Sequence, residues 1–301
     1  MKITEYQIVA ASLVLLMTCV FTGCGKSKGK IGKGAGKTNG QSEVIAPVKV
    51  GPVALDSVEE VKDFYKASPE FFVIKKTEDI PEDLKWEDGL GEPVFSSPNA
   101  KKGGTMNLHT GDWPRTLRFV GPDASGSFRR HILDNNAFSL VHEHPETDGY
   151  IPAIAKRWAV GKDKKTVYFE LDPTVRYSDG QPVRVTDFFF HFYFMRSKHI
   201  KAPWYNDYYD NEKFLNITLY NTRTLSITYY KAKPDVITKA AIRPVPEHHY
   251  EEIDEDYLKD YQWVFEPTAG PYEVREENVN DGVAITLTRV VNWWADKKKY
   301  Y

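Results

Sequence analysis

Two short histidine groups contain the side chains best suited to metal chemistry. His142-Glu143-His144 places two imidazoles and a carboxylate within three residues, and His248-His249 forms a second pair. Zinc and nickel are bound by such nitrogen and oxygen ligands. Positions 142 and 144 would share a face of a strand, but the spacing matches no strong metal motif, and adjacent histidines on an extended chain point in opposite directions. We therefore favour surface polar residues before a turn, and no metal or cofactor is predicted.

Hydrolase and phosphate chemistry have little support in the sequence. A Ser/His/Asp hydrolase needs a nucleophile held on a special turn, but no Gly-x-Ser-x-Gly is present and Gly126-Ser127 lacks such a frame. The glycine-rich run from Gly32 to Gly36 precedes no strand–helix unit, so it does not predict a phosphate-binding loop. The sequence therefore does not predict an enzyme.

An aromatic cluster offers binding chemistry instead. It comprises Trp204, Tyr205, Tyr208 and Tyr209, all within one predicted loop. Large amphipathic rings of this kind can stack on a ligand or close over it as a lid. Packing on a neighbouring lobe or on the core is the alternative for the same residues.

The composition of the chain limits its class. The 301 residues are 41% hydrophobic and 14% aromatic, enough for a substantial core in one large domain or two modest ones. Forty basic and 42 acidic residues give a net charge of -2 and are interspersed across most of the chain. Without a basic field, a nucleic-acid partner has little support.

The first residues are predicted to export and anchor the protein. Lys2 precedes an apolar run from about Ile8 to Phe21, which suits a signal peptide better than a membrane span. Residues 1–23 form the predicted signal, and Phe21-Thr22-Gly23-Cys24 resembles a bacterial lipobox in which Cys24 is lipidated. Cys19 would leave with the signal, so the mature fold has no disulfide. A cytosolic protein with an apolar N-terminal helix is the alternative.

Residues 24–55 form a predicted tether and stalk. Between Gly25 and Gly36, glycines alternate with Lys26, Lys28, Lys30 and Lys33. Such a segment is flexible, and its charges either touch anionic lipid headgroups or belong to a solvated linker.

The remaining pattern alternates strands and helices. Ser57 and Glu60 fit a capping box before a helix, and Asp187 is expected to accept backbone N–H bonds at the start of an unusually apolar, buried helix. Loop is predicted over Lys76 to Gly104. The other predicted strands are Thr105 to Leu108, Thr166 to Leu171, Phe214 to Tyr220, Thr224 to Tyr230 and Ile285 to Val290; the other predicted helices are Ser125 to Leu140, a short one from Pro152, and Asp235 to Ala241.

The stretch from Tyr168 to Phe190 is the most specific part of the sequence. A strand leads into an Asp179-Gly180 turn, a short extended piece follows, and Thr186-Asp187 opens the aromatic helix. This order closely resembles the signature of the family 5 extracellular solute-binding proteins, the peptide, nickel and oligosaccharide receptors of ABC importers. Further matches in chain order are Gly103-Gly104-Thr105, Asp148-Gly149 with Pro152 to Trp158, Pro244 to His248, Gly270-Pro271-Tyr272 and Asn292-Trp293-Trp294.

The resemblance covers about residues 103–294 and implies an α/β fold of the periplasmic-binding-protein type II kind. Two departures are Asp172, where arginine is usual, and Trp293, an additional indole where tyrosine is typical. Family members continue with a second lobe, whereas this sequence stops at Tyr301. The expectation is therefore an N-terminal lobe with a mixed sheet over residues 56–301, truncated so that the second lobe is missing.

The same resemblance implies a function. It indicates the substrate-binding component of an ABC importer, exported and lipid-anchored to a bacterial membrane, with an ABC permease as partner and oligopeptides as ligands. Asp112 and Trp113 are candidate ligand contacts, because they lie just past the first predicted core strand, where receptors of this kind bring backbone and side chains into the cleft; no matched motif assigns a ligand contact to either residue. A receptor for nickel, haem or sugar is one alternative, and a lipid-anchored scaffold without transport is another.

Overall fold

The computed structural model describes residues 63–210, 213–250 and 253–301. They belong to one compact unit, Val50–Tyr301. The predictions for the signal peptide, Cys24, the tether and the Ser57 capping box lie outside the described residues.

A mixed five-stranded sheet is the centre of this unit. Its order is β1-β6-β7-β5-β4, with β1 parallel to β6 and the other neighbours antiparallel. The strands are β1 (Phe72–Ile74), β2 (Val141–Glu143), β3 (Tyr150–Pro152), β4 (Ala155–Val160), β5 (Thr166–Leu171), β6 (Phe214–Leu219), β7 (Thr224–Tyr229), β8 (Tyr272–Glu273), β9 (Val279–Asn280), β10 (Ala284–Ile285) and β11 (Thr288–Arg289). The helices are α1 (Asp63–Lys66), α2 (Thr186–Arg196), α3 (Pro203–Tyr208), α4 (Val236–Ala240) and α5 (Tyr257–Asp260). The fold class is therefore α/β with a mixed sheet, as predicted.

Helix α2 lies between two hydrophobic clusters, which explains why it is apolar on every side. Phe188 and Phe192 pack in the cluster that includes β5 residues Val167 and Phe169. Phe190 and Phe194 belong to a second cluster, with Leu117, Tyr250 and Tyr257 among its members. A helix that buries opposite faces needs no polar stripe. The prediction of a mostly buried helix is confirmed.

Several turns and strands agree with the sequence. The β6–β7 hairpin and the strand β5 are confirmed, because apolar residues of period two meet across the sheet, such as Val167 opposite Ile227. Asp163 makes the turn before β5 by accepting the N–H groups of Lys165 and Thr166. Gly180, at a φ of 86°, makes the Asp179-Gly180 turn.

The predicted strand Thr105 to Leu108 is wrong. Met106 and Leu108 are 79% and 59% exposed, and no described strand pairs with this segment. Alternation of apolar and polar residues does not produce a strand where no neighbouring strand supplies hydrogen bonds.

The predicted helix from Ser125 to Leu140 is also wrong. A π-helical turn at Arg130–Asp134 is the regular structure there. Leu140 instead donates its N–H to Ile242 O at 3.1 Å, so long-range pairing replaces the end of the helix. The expected apolar side is nevertheless buried: Phe128, Ile132, Leu133 and Phe138.

Residues after Pro152 form a strand and not the predicted short helix. Strand β4 pairs with β5, with Trp158 opposite Phe169. Ile154 and Trp158 are buried as predicted, but the backbone hydrogen bonds of this segment are those of the sheet and not those of a helix. The strand expected over Ile285 to Val290 is divided between β10 and β11, which pair with different partners.

Candidate ligand-binding site

A cavity of about 260 Å³ lies between residues 112–116 and residues 123–129. Asp112 and Trp113, the predicted ligand contacts, both line it, and Phe128 and Ile132 contribute apolar surface. Both of those apolar side chains also belong to the second hydrophobic cluster. The cavity is therefore built on the packed interior and not on a free loop.

Gln262 holds one wall of the cavity in place. Its backbone oxygen accepts hydrogen bonds from Leu117 N and from Thr116 Oγ1, both at 2.8 Å. Its side-chain Nε2 donates to Arg115 O at 3.2 Å. These three bonds fix the segment that follows Asp112 and Trp113, although it has no regular secondary structure.

The charges around the cavity are unequally satisfied. Arg115 pairs with Asp123 at 3.3 Å, and Arg129 pairs with Asp134 at 3.2 Å. Asp112 has only a hydroxyl partner in the described part of the chain, because Ser127 Oγ donates to Asp112 Oδ1 at 2.7 Å. Of the four charged side chains that line the cavity, Asp112 is thus the one without an ion-pair partner among the described residues.

Sequence reasoning missed Arg115, Ser127 and Arg129 as cavity residues. The run Ser125-Gly126-Ser127 is typical of a turn, and that was the available signal. Its approach to Asp112 depends on how the chain folds back over 15 residues, which no local pattern specifies.

The predicted aromatic cluster lies on α3 and not in a loop. Pro203 stands at the start of this helix, where its missing N–H costs no hydrogen bond. Trp204 is 66% exposed and stacks on Tyr208, with ring centroids 5.2 Å apart and planes 12° apart. We call these two residues the aromatic pair.

Tyr209 has a different environment from the aromatic pair. Its ring is stacked on Phe214 at 5.6 Å and meets His191 edge to face at 4.7 Å. Burial raises the pKa of Tyr209 above its usual value. Tyr205 is half-buried against the second hydrophobic cluster. None of the four aromatic residues lines the cavity beside Asp112, so the cavity does not bring the two predicted groups of ligand contacts together.

The histidines of β2 and its turn have structural partners. His144 is buried, which corrects the expectation of a surface residue. Its Nδ1 accepts the N–H groups of Glu146 and Thr147 at 3.1 Å, so Nε2 donates to Pro93 O at 2.9 Å. His142 Nδ1 lies 2.9 Å from the Tyr301 hydroxyl, and burial lowers the pKa of His142 to about 4. No group of three metal-ligating side chains occurs among the described residues.

Residues 149–301 match the family model for bacterial extracellular solute-binding proteins, family 5, middle region. The match covers just over half of the chain. The chain belongs to this family. Among the described residues of this family 5 protein, no helix is both long enough and apolar enough to cross a membrane.

Three proteins that are similar to this family 5 protein are longer than the chain. A Deinococcus radiodurans protein described as a probable ABC transporter-binding protein is 25% identical over 115 residues, which cover 38% of this chain and 19% of that relative. Haemophilus influenzae OppA, solved with the peptide RPPGFSPFR, is 18% identical with a TM-score of 0.49, covering 61% of this chain and 38% of its own. Helicobacter pylori DppA, solved with the peptide STSA, is 16% identical with a TM-score of 0.46, covering 56% and 36%. The chain thus spans about a fifth of the curated relative and just over a third of these two solved proteins.

Proposed function

We propose that the chain is the substrate-binding part of an ABC importer and that it captures oligopeptides outside the cytoplasmic membrane. Membership of family 5 supports solute binding, and the description of the Deinococcus relative supports an ABC transporter as partner. The chemistry is capture and release without bond making. The alternatives are a receptor for nickel, haem or a sugar, and a lipid-anchored scaffold without transport.

The environment of Asp112 is the observation that carries the peptide assignment. Its carboxylate has one hydroxyl partner, while the two arginines of the cavity are engaged by other acids. A carboxylate in this position attracts an ammonium group, and every unblocked peptide carries one at its first residue. Trp113 and Phe128 add aromatic surface on which the adjoining part of the peptide can be buried.

The aromatic pair on α3 is the second proposed contact. Trp204 presents most of its surface to solvent while Tyr208 supports it from one side. Lys213 Nζ lies 5.6 Å from the Tyr208 ring and bonds Asp207 at 2.9 Å, which fixes the end of the helix. A supported indole can stack on a peptide side chain at a low cost in conformational entropy.

The Asp112→Asn variant is expected to bind peptides with a free amino terminus at least about tenfold more weakly, because hydrogen bonds to charged groups contribute about 1.5–3 kcal/mol. Peptides with an acetylated amino terminus should bind the variant and the original protein equally. Isothermal titration calorimetry with matched free and acetylated peptides measures both affinities on the full chain in detergent.

Asp281→Asn is the matched control, because this exposed carboxylate lies in the turn between β9 and β10. It should leave both affinities unchanged. The peptide function is excluded if a broad peptide panel gives no binding to the unaltered chain. If peptides bind but Asp112→Asn retains full affinity for the free amines, the assignment of Asp112 is wrong and the function stands.

Trp204→Ala is expected to weaken peptide binding about fivefold with little effect on folding, since aromatic stacking contributes about 0.5–1.5 kcal/mol. The exposed Tyr230 provides the control, and Tyr230→Ala should leave affinity unchanged. Calorimetry measures the affinity and thermal unfolding measures stability. Equal affinities for Trp204→Ala and the original protein would remove the aromatic pair from the binding surface.

For the amino-terminal region we propose an exported, lipid-anchored protein. Residues 1–23 act as the signal, Cys24 receives the lipid, and residues 24–55 connect the anchor to a solute-binding portion over residues 56–301. The extracellular character of the family supports export. The lipobox resemblance at Cys24 supports the anchor.

A further inference from the structure

Arg129 is a charged residue of the cavity to which the proposed function gives no role. Its side chain is 26% exposed and lines the cavity together with Asp112. The backbone N–H of Arg129 donates to Gly126 O at 3.1 Å, and its Nε donates to Asp134 Oδ1 at 3.2 Å. The turn and the ion pair therefore hold the guanidinium from the side of Nε.

The other edge of this guanidinium is not used by the protein. Within residues 63–210, 213–250 and 253–301, no acceptor bonds to Nη1 or Nη2 of Arg129. These two nitrogens form a flat pair of donors that the two oxygens of a carboxylate can accept side by side. Arg129 thus keeps a preoriented edge for an anion on a side chain that lines the cavity.

Arg115, the second arginine of the cavity, is less suited to this task. Its Nη1 bonds to Asp123 at 3.3 Å, so the edge formed by its two terminal nitrogens is already in use. Its side chain is also 81% exposed. A long side chain that is so free in solvent loses more conformational entropy when a ligand fixes it. Of the two arginines, Arg129 is the better site for an anion.

The free edge of Arg129 and the carboxylate of Asp112 belong to one local structure. Ser127 Oγ donates to Asp112 Oδ1 at 2.7 Å, and Arg129 follows Ser127 by two residues in the same turn. Consecutive Cα atoms are about 3.8 Å apart, so the Cα atoms of Ser127 and Arg129 lie within roughly 7 Å of each other. The acid that pairs with Arg129 is Asp134 and not Asp112. A negative and a positive group are therefore set a short distance apart, and each retains bonding capacity for a ligand.

Apolar surface lies beside the two charges. Phe128 stands between Ser127 and Arg129 in the chain, and with Ile132 it supplies apolar surface to the cavity. The cavity volume of about 260 Å³ is below the roughly 300–1,000 Å³ of pockets for drug-sized ligands. A peptide that uses both charges must therefore carry its ammonium and its carboxylate close together.

We propose that Arg129 binds a carboxylate of the peptide ligand, so that the cavity selects peptides with a carboxylate within one or two residues of a free amino terminus. Asp112 binds the ammonium group, and Nη1 and Nη2 of Arg129 donate to the carboxylate. The inference rests on the proposed peptide function. Two sources supply such a carboxylate: the carboxyl terminus of a dipeptide, and the side chain of an acidic second residue in a longer peptide.

Isothermal titration calorimetry on the full chain in detergent, with two matched peptide pairs, tests the proposal. The first pair is Ala-Ala with a free carboxyl terminus against Ala-Ala amide. The second pair is Ala-Glu-Ala-Ala amide against Ala-Gln-Ala-Ala amide. In at least one pair, the carboxylate member is expected to bind the original protein about fivefold more tightly, the upper end for a partly exposed ion pair. The pair that shows this preference identifies the source of the carboxylate.

Variants of Arg129 make the test specific. Arg129→Gln should abolish the preference and bind the uncharged member of each pair as the original protein does. Arg130→Gln is the matched control and should retain the preference, because Arg130 is the exposed next residue and does not line the cavity. If thermal unfolding shows that Arg129→Gln does not fold, Arg129→Lys takes its place. Lysine keeps the charge but lacks the paired donors, so the preference should fall at least about twofold.

The outcomes separate this proposal from the peptide function. If the peptides bind with no preference for a carboxylate, the assignment of Arg129 is wrong and the peptide function stands. The same holds if the preference is unchanged in the Arg129 variant, or if neither carboxylate peptide binds while others of the broad panel do. Absence of binding by these peptides and by the whole panel would overturn the peptide function together with this proposal.

Discussion

Glu266→Ala is expected to lower the free energy of unfolding by about 3–5 kcal/mol, the cost of leaving one member of a buried ion pair without its partner. The side chain of Glu266 is 2% exposed and forms an ion pair with Arg243 Nη1. Its second oxygen accepts the Tyr250 hydroxyl at 2.6 Å. Removing the carboxylate leaves the Arg243 charge buried, with Pro244 O at 3.3 Å as its remaining hydrogen-bond acceptor among the described residues.

The pKa of Arg243 supports the same expected loss of stability. Burial would lower the pKa of this guanidinium, but Glu266 raises it above the usual value. The charge on Arg243 therefore depends on the carboxylate for its stability. Arg243 does not deprotonate at neutral pH, so the cost of burying its charge without a partner lowers the free energy of unfolding.

Urea unfolding at pH 7 measures this effect. Glu277→Ala is the matched control, since Glu277 is exposed and lies 4.0 Å from Arg275, and surface substitutions change stability by about 0.5 kcal/mol or less. The double variant Glu266→Leu with Arg243→Met should recover much of the loss, because an apolar pair of similar volume can replace a buried ion pair. A loss below about 1 kcal/mol for Glu266→Ala would show that water reaches this pair.

Local patterns were sufficient where an element carries its own signal. The β6–β7 hairpin alternates along both strands with a turn between, and α2 combines an acidic first turn with aromatics on every face. In both cases the residues whose pattern predicts the element are also the residues that form its buried face. The same patterning placed Ile154 and Trp158 in the core, even though it predicted a helix there.

Contacts between distant segments account for what the sequence could not predict. The Arg243–Glu266 pair joins residues 23 positions apart, and the Asp187 bond to Glu247 N spans 60. Neither partner has a local pattern that identifies the other. The predicted strand at Thr105 fails for the same reason, because a strand needs a neighbour that its own residues do not specify.

Gly270→Ala is expected to be the other severe substitution, with a loss of at least about 3 kcal/mol, at the upper end of the cost of overpacking a rigid interior. A Cβ at this position would lie 1.5 Å from the backbone oxygen of Asn136 and 2.6 Å from its carbonyl carbon. These atoms belong to the main chain, so no change of rotamer relieves the clash. Glycine is required here because there is no room for a side chain. Backbone conformation is not the reason, since Gly270 has no positive φ.

Asn136 cannot withdraw without breaking other bonds. Its Nδ2 donates to Tyr272 O at 2.7 Å, and its Oδ1 accepts Tyr272 N at 3.0 Å, so the side chain fixes the Gly-Pro-Tyr turn from both sides. Asn136 is itself buried. Moving the two segments apart would therefore leave a buried amide and two backbone groups without partners, which adds to the steric cost.

Thermal unfolding of Gly270→Ala against Gly91→Ala separates this effect from a general effect of alanine. A Cβ at Gly91 meets nothing within 4 Å, and its φ is not positive, so Gly91→Ala should match or slightly exceed the stability of the original protein. Adding Asn136→Ala to Gly270→Ala should give no rescue, because the obstructing oxygen is on the backbone. If the second substitution restores stability, the glycine of the Gly-Pro-Tyr turn is required because of side-chain crowding and not because two main chains approach each other.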